Sequence, residues 1–244
     1  MIRVAAVGDL HFGEDSQGRL RPHLDAASGD LDVLLLAGDL TYRGLPEEAE
    51  VLASELEGLP FPVVAVLGNH DYHHDREVEI AGTLASRDVQ VLEGTAAELE
   101  VRGERLLVAG VKGFGGGFAG ACATEFGEPQ VRAFAAEARR SAESLRTALA
   151  SKDGSCRIAL LHYAPVEGTL FGEHPGLWPF LGSYLLAEAV DLGGAALAVH
   201  GHAHGGSPEA ATPGGTPVRN VAQSVIGRPF AMFEVGEARP ALVQ

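Results

Sequence analysis

An α/β fold is the prediction for this chain, and it rests on three observations. Apolar runs of strand length recur, at residues 2–7, 31–37 and 62–67. Helical patterns lie between them, and this strand–helix–strand rhythm indicates a parallel sheet. Each run also ends in glycine and a polar side chain, at Gly8-Asp9, Gly38-Asp39 and Gly68-Asn69.

Taken in order, residues 2–7 read as a buried strand that runs into Gly8-Asp9-Leu10-His11. Asp9 and His11 are two apart, so on extended backbone they face one side. A loop follows to residue 30, with a short helix over 22–27. Residues 31–37 form the second strand. Pro46 and the acidic pair Glu47-Glu48 then open a helix over 47–56, since carboxylates suit a helix N-terminus. The third strand, 62–67, leads into Leu67-Gly68-Asn69-His70-Asp71. By itself that stretch reads equally as a turn, because Asn and Asp are turn formers, and as a chemical cluster of amide, imidazole and carboxylate.

Further along, a helix over 75–85 and a short strand over 89–92 precede a hairpin, 98–101 with 105–109, around Arg102-Gly103-Glu104. The glycine-rich stretch 113–120 is the one low-complexity patch. It has neither the following Lys-Ser/Thr of a P-loop nor the glycine spacing of a dinucleotide fingerprint, so it reads as a flexible loop. Pro129 starts the longest helix, to residue 150, with Val131, Phe134, Ala138, Ala142, Leu145 and Leu149 in one apolar stripe. Residues 157–161 form a strand ending in His162, and 163–182 is irregular. Ser183 caps a helix to residue 190. A strand over 195–199 runs into His200-Gly201-His202-Ala203-His204, and strands over 218–221 and 230–235 follow. With no internal repeat and no linker-like boundary, residues 1–244 read as a single domain.

Composition narrows the function classes. The formal net charge is -15, with only 18 Lys and Arg, which argues against a general nucleic-acid surface or an anionic-membrane surface. Cys122 and Cys156 form no CxxC pattern, and nothing indicates a disulfide between them. The first apolar run is broken too early, at Asp9, for a signal peptide. No run approaches the roughly 18 residues of a membrane span. A soluble cytoplasmic protein is expected, with its oligomeric state open.

Five apolar strands thus end in potential metal ligands: Asp9 and His11, Asp39, Asn69, His162, then His202 with His204. Open α/β sheets bind ligands at the carboxyl ends of their strands. The ordered set DxH, GD, GNHD, H, GHxH, from Asp9 to His204, resembles the calcineurin-like metallophosphoesterase superfamily. The resemblance implies a four-layer αββα sandwich with two central mixed β-sheets. It implies two metal ions about 3.5–4 Å apart, with Asp9, His11 and His204 on the first, Asn69, His162 and His202 on the second, and Asp39 bridging. Carboxylate, imidazole and amide oxygen suit manganese, iron or zinc.

The function so implied is hydrolysis of a phosphate ester, a monoester or a small diester, by attack of a metal-bridging hydroxide. His70, beside the ligands and not among them, is assigned as general acid or transition-state donor, and Asp71 as the carboxylate that orients it. The substrate is expected to be a small organic phosphate. Tyr163, next to a ligand, and Trp178 are the candidate substrate contacts, with 113–120 and 163–182 as pocket walls. Phe171, Trp178 and Phe180 read equally as a satellite core under a surface loop. The rival function is a non-catalytic binding scaffold on the same fold.

Other polar residues read as structural. His200 shares strand parity with His202 and His204 but falls outside the pattern, and reads as a packed histidine. His73 and His74 read as solvated residues at a helix start, either of which could also reach substrate. His23 and His174 read as surface residues, and Asp30 and Asp32 as solvated.

Overall fold

The structure is a computed structural model and describes residues 1–150, 156–236 and 241–242. Residues 151–155, 237–240 and 243–244, which belong to the stretch read as one domain, lie outside the described residues. In chain order the elements are β1 (Ile2–Val7), α1 (Arg21–Ala27), β2 (Val33–Ala37), α2 (Pro46–Leu56), β3 (Val63–Val66), α3 (Glu77–Ala85), β4 (Val89–Val91), β5 (Thr95–Val101), β6 (Glu104–Val111), β7 (Gly117–Phe118) and β8 (Ala121–Cys122). They continue with α4 (Pro129–Leu149), β9 (Cys156–Leu161), α5 (Trp178–Leu181), α6 (Tyr184–Leu192), β10 (Leu197–His200), β11 (Glu209–Ala211), β12 (Pro217–Asn220), α7 (Gln223–Ile226), β13 (Ala231–Val235) and β14 (Ala241–Leu242).

Two six-stranded sheets carry the fold, in the orders β14-β13-β1-β2-β3-β4 and β11-β12-β10-β9-β6-β5. Both are mixed. In the first, β1 to β4 are parallel, β13 runs antiparallel to β1, and β14 antiparallel to β13; in the second, β6, β9, β10 and β12 are parallel, with β5 and β11 antiparallel at the edges. Alternate residues of each central strand enter different cores. Val4, Val33, Leu35 and Val64 meet Val108, Ile158, Leu160 and Val199 between the sheets. Ala5, Val7, Leu34 and Leu36 face Leu24, Leu52, Ala53 and Ile80 of α1 to α3, while Ala159 and Leu161 face Leu145, Leu149 and Leu186 of α4 and α6. This is the expected αββα sandwich. Burial on both faces explains why these strands are continuous apolar runs and not alternating ones.

Several local expectations are corrected. Most of 113–120 is packed and not a flexible loop: Gly113, Gly115, Gly116, Gly117 and Phe118 are buried, and Ala119 and Gly120 are exposed. The amides of Gly116 and Gly117 donate to the carbonyls of Pro179 and Gly182, at 2.7 and 2.9 Å. A side chain at Gly116 would press on Ala138 and Ser183, so these glycines serve close packing against α4 and the start of α6. Residues 163–182 contain two 3₁₀ turns and α5. Asp32 is not solvated: its side chain is 7% exposed and accepts from the Arg3 amide and guanidinium and from Arg102. Asp30 is exposed and pairs with Arg3 at 3.1 Å. Cys122 and Cys156 are free thiols.

Register makes the strand ends level. Leu36 pairs with Val7 and Ala65, and Leu161 with Val111, while the amide of Gly201 donates to the His162 carbonyl. Polar residues placed just beyond these ends in sequence therefore meet in space along the seam between the sheets.

Candidate metal centre

The seam is crossed by hydrogen bonds from residues just past the strand ends. His162 follows β9 in the second sheet, yet its Nδ1–H donates to the carbonyl of Ala37 in the first, at 2.9 Å. That bond sets the tautomer, so the Nε2 lone pair points toward Asn69 Oδ1 at 2.9 Å and Asp39 Oδ1 at 3.2 Å. Asp9, past β1, reaches the other sheet: its carboxylate accepts from the His202 amide at 2.9 and 3.1 Å and lies 2.8 Å from His204 Nε2.

The candidate ligands fall into two groups that share Asp39. Asp9, His11, Asp39 and His204 each offer one ligand atom within 4.8 Å of the others, and so do Asp39, His162 and His202. Asn69 joins the second group through its contact with His162. The donor set fits a pair of cations on its own chemistry. His162 Nε2, Asn69 Oδ1 and Asp39 Oδ1 are three acceptors in mutual contact. The buried Nδ1 of His11 has no hydrogen-bond partner among the described residues, while its Nε2 lies 3.9 Å from Asp39 Oδ2. Acceptor atoms brought this close together are what a cation site needs.

Backbone geometry shows the cost of assembling this cluster. Asp9, His11, Asp39 and His202 all sit at positive φ, 57°, 44°, 50° and 68°. Side-chain-bearing residues rarely adopt that region, and such strain concentrates at functional sites. Two glycines make the approach possible. A Cβ at Gly68 would collide with the Asp39 carboxylate, and one at Gly38 would lie 2.5 Å from His162 Nδ1. The glycines of the GD and GNHD patterns thus clear space for ligands on neighbouring strands.

Electrostatics keeps two of the imidazoles, His202 and His11, ready. Burial, reinforced by neighbouring His162, pushes His202 down to about 3, and burial also lowers His11. Both are therefore neutral, as metal ligation requires. The hydrogen bond to Asp9 raises His204. Burial opposes ionisation of Asp9, but His204, His162 and the His202 amide together outweigh it and hold the carboxylate below its ordinary value.

His70 stands beside the cluster. Its Nδ1–H donates to the carbonyl of Tyr42 at 2.8 Å, its amide donates to Asp39 Oδ1 at 2.8 Å, and Nε2 lies 3.9 Å from Asp39 Oδ2. The expected orienting role of Asp71 is corrected here. Asp71 is fully buried, and its carboxylate accepts from the amides of Leu40, Thr41 and Gly68 at 3.2, 2.8 and 2.7 Å and from the Thr41 hydroxyl at 2.6 Å. Burial raises its pKa, with those donors opposing and Asp39 adding to the rise. Asp71 ties the segment after β2 to the segment after β3, and Tyr42 does the orienting. Asp71→Ala should therefore cost at least about 3 kcal/mol, because it strands several buried donors. The check is a denaturant titration of the variant; unchanged stability with lost turnover would return Asp71 to the orienting role.

Of the two expected substrate contacts, only Tyr163 stands against the cluster. Its ring lies 4.3 Å from that of His202 and 5.6 Å from that of His162, and burial pushes its hydroxyl up to about 12. Trp178 instead packs with Phe118, Ala164, Leu170 and Ala203 and donates to the Glu173 carbonyl. It fills a satellite core, whereas Phe171 and Phe180 are largely exposed. His200 is a packed histidine, buried between the Gly201 carbonyl and the Thr169 hydroxyl and pushed down to about 4 by burial. His73 is exposed with its ring 4.5 Å from that of His70, and His74 meets the Arg43 carbonyl. His23 and His174 are exposed. Sequence reasoning missed the Tyr42 carbonyl, which carries no side-chain signal, and Lys112. The strand before Lys112 runs to Val111, two residues past its expected end, and sets Lys112 level with His162.

The arrangement defines a class, an αββα sandwich with two groups of possible metal ligands sharing one carboxylate at the seam. The chain belongs to the calcineurin-like phosphoesterase family, whose sequence profile matches residues 2–206. That family depends on a pair of metal ions and acts on phosphate esters. Over 91 residues the chain is 38% identical to a probable cyclic nucleotide phosphodiesterase of Synechococcus sp.. That match takes in 33% of this chain and 35% of the Synechococcus protein, about a third of its length. Similar solved structures include TT1561 of Thermus thermophilus, with a TM-score of 0.63 and 19% identity over 95% of this chain and 93% of that one. The phosphopantetheinyl hydrolase of Mycobacterium tuberculosis gives 0.62 and 17% over 90% and 88%. GAP50, the anchor in the inner membrane complex of Plasmodium, gives 0.63 and 10% over 98% and 82%. At these identities the structural likeness speaks for the fold alone. Among the described residues no helix is long and apolar enough to cross a membrane.

Proposed function

We propose that this protein hydrolyses a small organic phosphate ester, a monoester or a small diester, using two transition-metal ions. Asp9, His11 and His204 hold the first ion, Asn69, His162 and His202 the second, and Asp39 both. The observation that carries the reading is the pair of ligand groups sharing Asp39. Manganese, iron and zinc all suit these donors. What such a pair supplies when bound is a hydroxide nucleophile near neutral pH and positive charge over the phosphoryl oxygens.

The chain's own residues do the rest. Asp9 and Asp39 are the only carboxylates of the proposed set, so two divalent ions would keep a net charge of two there, which draws an anionic ester into an acidic protein. His70 Nε2, held facing the cluster by the Tyr42 carbonyl, hands a proton to the departing oxygen. Tyr163 walls the His162–His202 side. The common core between the two sheets supports reading the chain as one domain.

The test is an ester panel (p-nitrophenyl phosphate, bis(p-nitrophenyl) phosphate and cyclic AMP) assayed after chelation and after reloading with manganese, iron or zinc. Metal-dependent product release is expected on at least one ester. Protein that holds two ions and turns over none of a broad phosphate-ester panel would instead be a binding scaffold.

A further inference from the structure

Lys112 lies one residue beyond β6, and its carbonyl accepts from the amides of His162 and Tyr163, both at 3.0 Å. Its ammonium sits 4.9 Å from the ring centre of Tyr72, 5.3 Å from that of Phe114 and 5.4 Å from that of Tyr163. Three rings around one ammonium make an aromatic box. Tyr72 directly follows Asn69-His70-Asp71, and Tyr163 stacks toward His202. The box therefore shares a wall with the metal centre.

The charge in this box is only partly answered. Among the described residues Lys112 makes no ion pair within 4.0 Å, although the chain carries 33 Asp and Glu. The Glu93 carboxylate accepts from the Lys112 amide at 3.1 Å and, with Glu137 and Asp39, acts on the ammonium only at longer range. Neither the Tyr72 nor the Tyr163 hydroxyl makes a hydrogen bond among the described residues. A half-buried ammonium is costly, and the rings return only part of that cost. An anion arriving at the His162–His202 side of the centre would complete the set.

We propose that Lys112 is a specificity-determining residue that binds a phosphoryl oxygen of the substrate, with the Tyr72 and Tyr163 hydroxyls as accompanying donors. The proposal rests on the phosphoesterase reading above and adds a direction to it. A monoester dianion carries one more negative charge than a diester monoanion, and Lys112 supplies one more positive charge. The residue therefore tilts selection toward the monoester.

The experiment compares wild type, Lys112→Met and Lys112→Arg, each loaded with manganese, in two arms. The first is titration calorimetry with inorganic phosphate, which needs no turnover. Lys112→Met should bind phosphate about 10- to 100-fold more weakly, the range of one charge-assisted hydrogen bond. Manganese stoichiometry should be unchanged, and arginine should recover most of the affinity. The second arm compares p-nitrophenyl phosphate with methyl p-nitrophenyl phosphate, which share a leaving group; the monoester-to-diester ratio of kcat/KM should fall in Lys112→Met. Unchanged phosphate affinity would overturn the proposal. So would equal losses in the Met and Arg variants with lowered unfolding midpoints, because Lys112 would then be a packing cation under three rings. If wild type hydrolyses neither ester while Lys112→Met still loses phosphate affinity, the phosphoesterase reading fails and the anion site stands.

Discussion

Asp39→Asn is expected to empty both metal positions and to lower turnover by about 10³-fold or more. The reason is geometric. Asp39 Oδ1 lies 3.2 Å from His162 Nε2 and Oδ2 lies 3.9 Å from His11 Nε2, so one carboxylate faces both ligand groups. Asparagine keeps the shape and one oxygen but loses the negative charge placed between two cations. Metal assistance is worth several kcal/mol of transition-state charge stabilisation, and each 1.36 kcal/mol is tenfold in rate. Elemental analysis of the purified variant checks the stoichiometry independently of activity. Retention of two ions at wild-type affinity would show that Asp39 is not shared. His11→Ala should be milder in stoichiometry, since only the group that contains His11 is touched.

His70→Ala is the second large effect, and its signature is opposite. Metal content should stay at the wild-type level while kcat falls about 10²- to 10⁴-fold, the usual span of general acid catalysis. His70 contacts the cluster through its amide, which donates to Asp39 Oδ1 at 2.8 Å, and alanine keeps that amide. Only the imidazole held on the Tyr42 carbonyl is lost. The defect should shrink along a series of esters with increasingly acidic leaving groups, because a good leaving group departs without a proton. A variant with lost metal would make His70 a ligand. A defect independent of leaving group would make it a phosphate binder and not an acid.

The corrections share a cause. Asp71 is expected to orient His70 in the usual carboxylate–imidazole arrangement, but at the tight turn after β3 its carboxylate makes its hydrogen bonds elsewhere. The Asp71 carboxylate turns into the core to collect donors from Leu40, Thr41 and Gly68. The glycines of 113–120 suggested freedom, yet there they permit close approach to α4 and to the start of α6. Glycine has both uses, and composition does not distinguish them. Asp32 lies beside a strand and was expected in water; Arg3 and Arg102, 29 and 70 residues away in sequence, enclose it.

The sequence by itself determined the existence of these strands, to within a residue or two at their ends, and the order of polar residues beyond them. Burial on both faces demands long apolar runs, and a turn that brings backbones together demands glycine, so both left local marks. Through a resemblance it also implied two ligand sets for Asp9, His11, Asp39, Asn69, His162, His202 and His204. The residue pattern alone could not say that the strands form two sheets, which only the resemblance implied and the tertiary structure shows, because an apolar strand looks the same whether its second face meets a helix or another strand. Only the seam brings the Ala37 carbonyl to His162, and only the pairing of β2 with β3 brings the Tyr42 carbonyl to His70, fixing which ring nitrogen faces the cluster. Every backbone carbonyl is chemically alike, so these orienting partners have no sequence signal. The same holds for the three rings around Lys112, which lie at positions 72, 114 and 163 and meet only when β6 and β9 pair in register.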